Sequence, residues 1–171
     1  RFAPVWALYL IGGLLLSLNM IGGYNDGYAA MSLMESLNGL AAVNMIYAVI
    51  CAQMLFGDLF NSKLCYALHA LPLRRETWFA THTLAGLAFS LIPNLILSLC
   101  FMAMTGMYWY LSFAWLLGMT LQYLFFFGVA TLGCMVSGSR IGMAAVYAVI
   151  NFFSVIIYWF VYTFYAPLLT G

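Results

Sequence analysis

Five long apolar runs, separated by short polar breaks, set the pattern of this chain, at about residues 4–23, 39–57, 82–105, 110–136 and 142–165. Crossing about 30 Å of hydrocarbon takes about 20 residues of helix, and each run is close to or above that length with no charged side chain inside it. The runs are continuously apolar, whereas strands of a barrel would alternate toward a polar lumen, so helices are the expected element. The fold class that follows is all-α and integral to a membrane: a single transmembrane domain, built as a polytopic bundle of five transmembrane helices.

The breaks differ in character. Tyr24 to Asn38 carries Asp26 and Glu35 but no base, and its Met31, Leu33, Met34 and Leu37 fit either a short interfacial helix or a loosely packed loop. Thr105 to Tyr110 is an uncharged turn in which Tyr108, Trp109 and Tyr110 form an aromatic belt. Val136 to Ile141, with Gly138 and Arg140, reads as another short turn.

The longest polar break, Asp58 to Phe79, is the most informative. Phe60, Leu64, Ala67, Leu68 and Leu71 recur at helical spacing, which predicts a helix lying along the membrane surface. Pro72 ends or redirects it, because proline lacks an amide donor and disfavours helix at the residue before it. Trp78 and Phe79 then mark the return to lipid.

Charge gives this pattern a direction. The bases Arg1, Lys63, Arg74, Arg75 and Arg140 all fall on one side under a single threading, and the excess of Lys and Arg marks the cytoplasmic side. The amino terminus is then cytoplasmic and residue 171 extracytoplasmic. At 67% hydrophobic and 5% charged, the chain is too apolar to hide its surface in one soluble core. A net charge of +1 offers no basis for binding nucleic acid. Cys51, Cys65, Cys100 and Cys134 are scattered without metal or disulfide spacing and read as free thiols.

Chemistry narrows the reading by what is missing. No phosphate-binding G-x-x-x-x-G-K-[ST] loop occurs, so ATP hydrolysis would belong to another subunit and this chain is not expected to be an enzyme. Asp26, Glu35, Asp58 and Glu76 all lie outside the spans, unlike the intramembrane carboxylates of ion-coupled carriers. His69 and His82 have no ligand-spaced neighbours, so neither a metal nor another cofactor is expected. Amides do occur within the spans: Asn19, Asn44, Gln53, Asn94, Gln122 and Asn151. They can line a path or glue helices together, and glue is the more economical reading. Pro93 beside Asn94 predicts a kink and a freed carbonyl that an amide or a neighbouring helix could satisfy.

Gly57-Asp58-Leu59-Phe60-Asn61-Ser62 and Leu68-His69-Ala70-Leu71-Pro72-Leu73-Arg74-Arg75-Glu76 resemble the segment between the second and third spans of type-2 ABC exporter permeases. In that family a surface helix followed by Leu-x-x-Leu-Pro-x-x-Arg couples the membrane domain to its ATPase. The resemblance implies a coupling helix here and an ATPase-docking role for Asp58, Asn61, Lys63, His69, Leu71, Pro72, Arg74, Arg75 and Glu76. It also implies a six-helix domain, of which five spans are present, and a second permease copy or paralogue as membrane partner. The alternative from another class is a non-transporting scaffold or assembly subunit whose loop recruits a different cytoplasmic partner.

Overall fold

The computed structural model describes residues 3–21, 29–61, 75–105 and 109–170. These form five helices: α1 (Ala3–Ile21), α2 (Ala29–Leu55), α3 (Arg75–Thr105), α4 (Trp109–Val136) and α5 (Arg140–Thr170). A short 3-10 turn, Gly57–Phe60, follows α2. Four helical stretches are long and apolar enough to cross a membrane: Ser36–Leu55, Glu76–Cys100, Trp109–Val136 and Arg140–Tyr165. Within α1 the apolar stretch with described side chains, Pro4–Leu15, is shorter. An all-α bundle of membrane type is thus the architecture.

Helix α4 is central. It packs most extensively on α2, then on α3 and α5, while α1 lies across α2 and α3. Aromatic residues dominate the contact: Tyr47, Trp115, Tyr123 and Phe127 are buried along the α2–α4 seam with Met119 and Ala130. Glycines mark close approaches on two of its sides. A Cβ on Gly86 of α3 would stand 2.2 Å from the Phe127 ring, and one on Gly133 of α4 would stand 3.3 Å from the Met143 carbonyl of α5.

Helix boundaries depart from the hydrophobic boundaries. Helix α2 begins at Ala29, so part of the expected outer loop Tyr24 to Asn38 is its first turns. Ala, Met, Leu and Glu are strong helix formers, and no proline interrupts them, so the helix continues past the lipid edge. Likewise α3 starts at Arg75 rather than at residue 82, with Glu76 in its first turn where the helix dipole favours an acid. Trp78 and Phe79 therefore sit within a helix.

The surface helix expected between α2 and Pro72 lies almost wholly outside the described residues, as do Lys63, His69, Leu71, Pro72 and Arg74. What precedes it is the 3-10 turn, closed by the Asn61 amide bonding to the Asp58 carbonyl at 3.2 Å. Arg1, Asp26 and the Cys65 thiol fall outside them as well.

Register places the ends. Phe56, at the foot of α2, packs against Trp78, Phe79 and His82 at the start of α3 and against Phe127 near the end of α4. Gly57 lies beside Arg140, the first residue of α5. These four helix ends share one face of the bundle. Toward the other, Ser36 of α2 meets Trp115 of α4, and Ser98 of α3 meets Ser112 of α4. Helix α1 runs parallel to α3, with Trp6 against Phe89 and Tyr9 against Asn94, so its start lies level with the middle of α3.

Candidate functional site

Two groups of side chains stand out: a polar cluster buried at mid-bundle and a charged end where α2, α3, α4 and α5 meet. The cluster is centred on Tyr9, a tyrosine inside an otherwise apolar stretch of α1. Its hydroxyl oxygen lies 2.7 Å from Asn44 Oδ1 of α2 and 2.8 Å from the side-chain amide of Asn94 of α3. From Asn44, Nδ2 donates to Gln122 Oε1 of α4 at 3.0 Å and faces Met119 Sδ at 3.6 Å. Gln122 Nε2 continues the chain to the Leu37 carbonyl at 3.5 Å.

Proton counting orients this network. Asn44 is fixed by its donation to Gln122, so its oxygen accepts the one proton that the Tyr9 phenol carries. Asn94 then balances the count by presenting its NH2 to the phenol oxygen and its carbonyl to the Ser90 hydroxyl, its contact at 3.1 Å. Every member is paired, and Asn44, Asn94 and Ser90 are fully buried. In an apolar phase, pairing decides whether such a cluster holds helices together or forces them apart.

A second polar contact follows from Pro93. Proline has no N–H, so the Phe89 carbonyl four residues earlier loses its helical donor. The Tyr47 hydroxyl of α2 supplies one at 2.9 Å. The freed carbonyl expected from the sequence is present, and a neighbouring helix satisfies it. Tyr123 similarly donates to the Gly86 carbonyl at 3.1 Å, across α4 and α3.

Of the span amides singled out in the sequence, Asn44, Asn94 and Gln122 meet in one cluster, Gln53 and Asn151 do not, and the Asn19 side chain lies outside the described ones. Gln53 Nε2 donates to Met143 Sδ at 3.4 Å, joining α2 to α5. Asn151 bonds back to the Tyr147 carbonyl of its own helix at 2.9 Å. Sequence reasoning missed Tyr9, Tyr47 and Ser90. A tyrosine in an apolar run reads as belt or core until its partner is known, and here that partner is far away in sequence.

The charged end is built from both sides of the long break. Asp58 and Asn61 are exposed beneath α2, and Glu76 is exposed on the first turn of α3. Arg75 opens α3. His82 lies inside this end, stacked on Trp78 with ring centroids 4.3 Å apart. Its Nδ1 lies 2.9 Å from the Trp78 carbonyl, which can only accept, so Nδ1 carries a proton. Among the described residues no group of three or more His, Cys, Asp or Glu gathers into a metal-binding set.

Comparison with protein-family models, with curated proteins and with solved structures returns no match to this chain. The functional reading therefore rests on the residues themselves.

Proposed function

We propose that this chain is the membrane-spanning permease subunit of an ATP-driven exporter, which supplies the translocation path and docks a separate ATPase on its cytoplasmic side. The docking surface is the segment from Asp58 to Glu76, with Asp58, Asn61, Lys63, His69, Leu71, Pro72, Arg74, Arg75 and Glu76 as its contact residues. A second permease copy or a paralogue completes the path, as in the type-2 ABC exporter permeases that this segment resembles.

One observation carries the reading: the two ends of the docking segment are anchored on the same buried ring. The segment leaves α2 just after Phe56 and returns into α3 through Trp78, Phe79 and His82, all packed on Phe56. A load applied to the segment enters α2 and α3 together. Tyr9, Asn44, Asn94 and Gln122 then tie α1, α2, α3 and α4 to one another, so the load moves them as a body. This is what a coupling element needs if nucleotide-driven motion of a motor is to alternate access across rigid helices. On this view the three amides of the cluster are helix glue.

The excess of Lys and Arg around this end supports a cytoplasmic placement. The test is co-purification from membranes. A P-loop ATPase should be recovered with the chain and lost in Arg74→Glu/Arg75→Glu, while the thermal transition of the purified chain is unchanged. Recovery of the ATPase with the double variant at wild-type level would remove the docking assignment.

A further inference from the structure

Helix α5 packs on the bundle with one face and only over its first turns. Met143 and Tyr147 are buried there, and Tyr147 Oη donates to the Met45 carbonyl of α2 at 2.9 Å. Residues three and four apart share one side of a helix, so the same face continues outward through Asn151, Ser154, Tyr158, Tyr162 and Tyr165. None of these five is buried, and every residue from Phe152 to Tyr165 is exposed. The α2 face that bears Gln53, the partner of Met143, likewise runs outward through Ile46, Ala42 and Gly39. These three are exposed too, and a Cβ on Gly39 would meet open space. Past the Tyr147–Met45 bond the two strips stay open instead of closing on each other.

The polarity of the α5 strip sets it apart from the lipid-facing surfaces of the same molecule. Where α1, α3 and α4 face outward at mid-span they show aliphatic side chains, such as Leu8, Ile11, Leu91, Leu95, Leu117 and Leu121. Asn151 and Ser154, by contrast, stand near the middle of the span Arg140–Tyr165. Ser154 Oγ bonds back to the Ile150 carbonyl at 2.9 Å, an arrangement that lipid tolerates. Asn151 is different: its Nδ2 donates to the Tyr147 carbonyl at 2.9 Å, and its Oδ1 has no donor among the described residues. An amide oxygen is costly to leave unpaired in hydrocarbon, whereas a neighbouring helix can supply the missing N–H. An aromatic belt accounts for Tyr162 and Tyr165 near the outer edge, but not for their alignment with Asn151 and Ser154.

We infer that a second copy of this chain packs on this strip, α5 against α5, about a two-fold axis along the membrane normal. The strip is complementary to itself, because amide, hydroxyl and phenol groups each donate and accept, and α5 carries no charge past Arg140. Copies inserted in the same sense bring like residues together at one depth, so each Asn151 Oδ1 meets the other copy's amide. Spacing by threes and fours suits helices that cross at the small left-handed angle common in membranes. Gly39 and Ala42 leave room for the added helix beside α2. The inference rests on the proposed function for the presence of a second copy, and not for the ATPase.

Disulfide trapping in intact membranes tests the contact. Two differently tagged forms are expressed together in a Cys65→Ser/Cys100→Ser background, with Cys51 and Cys134 left in place because they are buried. On oxidation with copper phenanthroline, Ser154→Cys and Tyr158→Cys should each give a product carrying both tags, at about tenfold the yield of Phe153→Cys on the opposite face, since a disulfide needs close Cα atoms. Asn151→Leu should lower the product at position 154 about threefold, the loss expected for one interhelical hydrogen bond, and Asn151→Gln should retain most of it. Equal yields at 153 and 154 would mean random encounter in the lipid and would overturn the contact. Absence of the two-tag product at both 154 and 158, in variants whose thermal transition matches the parent, would overturn it as well. Modification of position 154 by an impermeant maleimide would then make the strip the wall of a water-filled path. Either failure, with the ATPase still co-purifying, leaves the exporter reading standing. A two-tag product from membranes in which no ATPase co-purifies would uphold the contact and overturn that reading.

Discussion

A single hydroxyl group holds three helices at the centre of this bundle. Removing the Tyr9 oxygen leaves the Asn44 carbonyl and the Asn94 amide buried without that partner. A buried polar group left without its partner costs about 1–3 kcal/mol, so Tyr9→Phe should lower the thermal midpoint in detergent, whereas Tyr158→Phe, on the exposed face of α5, should not. Equal midpoints for the two variants would show that the network contributes nothing. The pair formed by Tyr47 and Pro93 gives a sharper test, because the proline creates the need that the hydroxyl meets. Tyr47→Phe should cost about 1 kcal/mol with Pro93 present. In a Pro93→Ala background the restored N–H serves the Phe89 carbonyl, and the same substitution should cost measurably less. Additive effects in this double-mutant cycle would mean that the two residues are independent.

Elements were legible in the sequence where the lipid decides and illegible where the backbone does. Continuous apolar runs gave the helices, since nothing but a helix pairs its own backbone in hydrocarbon. Helices α2 and α3 extend beyond the apolar runs because hydropathy marks the lipid edge, while the helix runs on until a breaker stops it. Close approaches were also hidden. Gly12, Gly118 and Gly128 look no different in sequence from Gly86, yet only Gly86 has the Phe127 ring lying directly over it. Tyr123 stacks on that ring at 5.5 Å, and Phe56 lies 6.5 Å away, so it cannot easily move aside. Gly86→Val should therefore cost about 1–3 kcal/mol by overpacking the α3–α4 seam, and Gly128→Val, which meets open space, far less. Thermal unfolding of both variants in the same detergent decides it. The candidate docking residues were read from the resemblance of their segment, and most of them lie outside the described residues.

As a whole the molecule divides into a cross-linked part and a loosely attached one. Helices α1 to α4 share the polar network and the aromatic seam, whereas α5 buries only Met143 and Tyr147 among residues 140–165. Among the described residues its polar ties to the rest are Tyr147 Oη to the Met45 carbonyl and Gln53 to Met143, both within its first turns. With α2 ending, α3 starting and α5 starting at one face, a reagent that cannot cross the membrane must reach Asp58→Cys and Ser139→Cys from the same compartment. Trp109→Cys, exposed at the start of α4, must be reached from the opposite one. The native Cys51 and Cys134 are buried and should stay unlabelled in the folded protein, which supplies the internal control. If, as proposed, the basic end faces the cytoplasm, an impermeant maleimide added to intact cells should modify position 109 and spare positions 58 and 139. Labelling of 58 and 139 from outside would invert the bundle and turn the charged end away from any cytoplasmic motor. Labelling of 58 and 109 from one side would contradict the helix order itself.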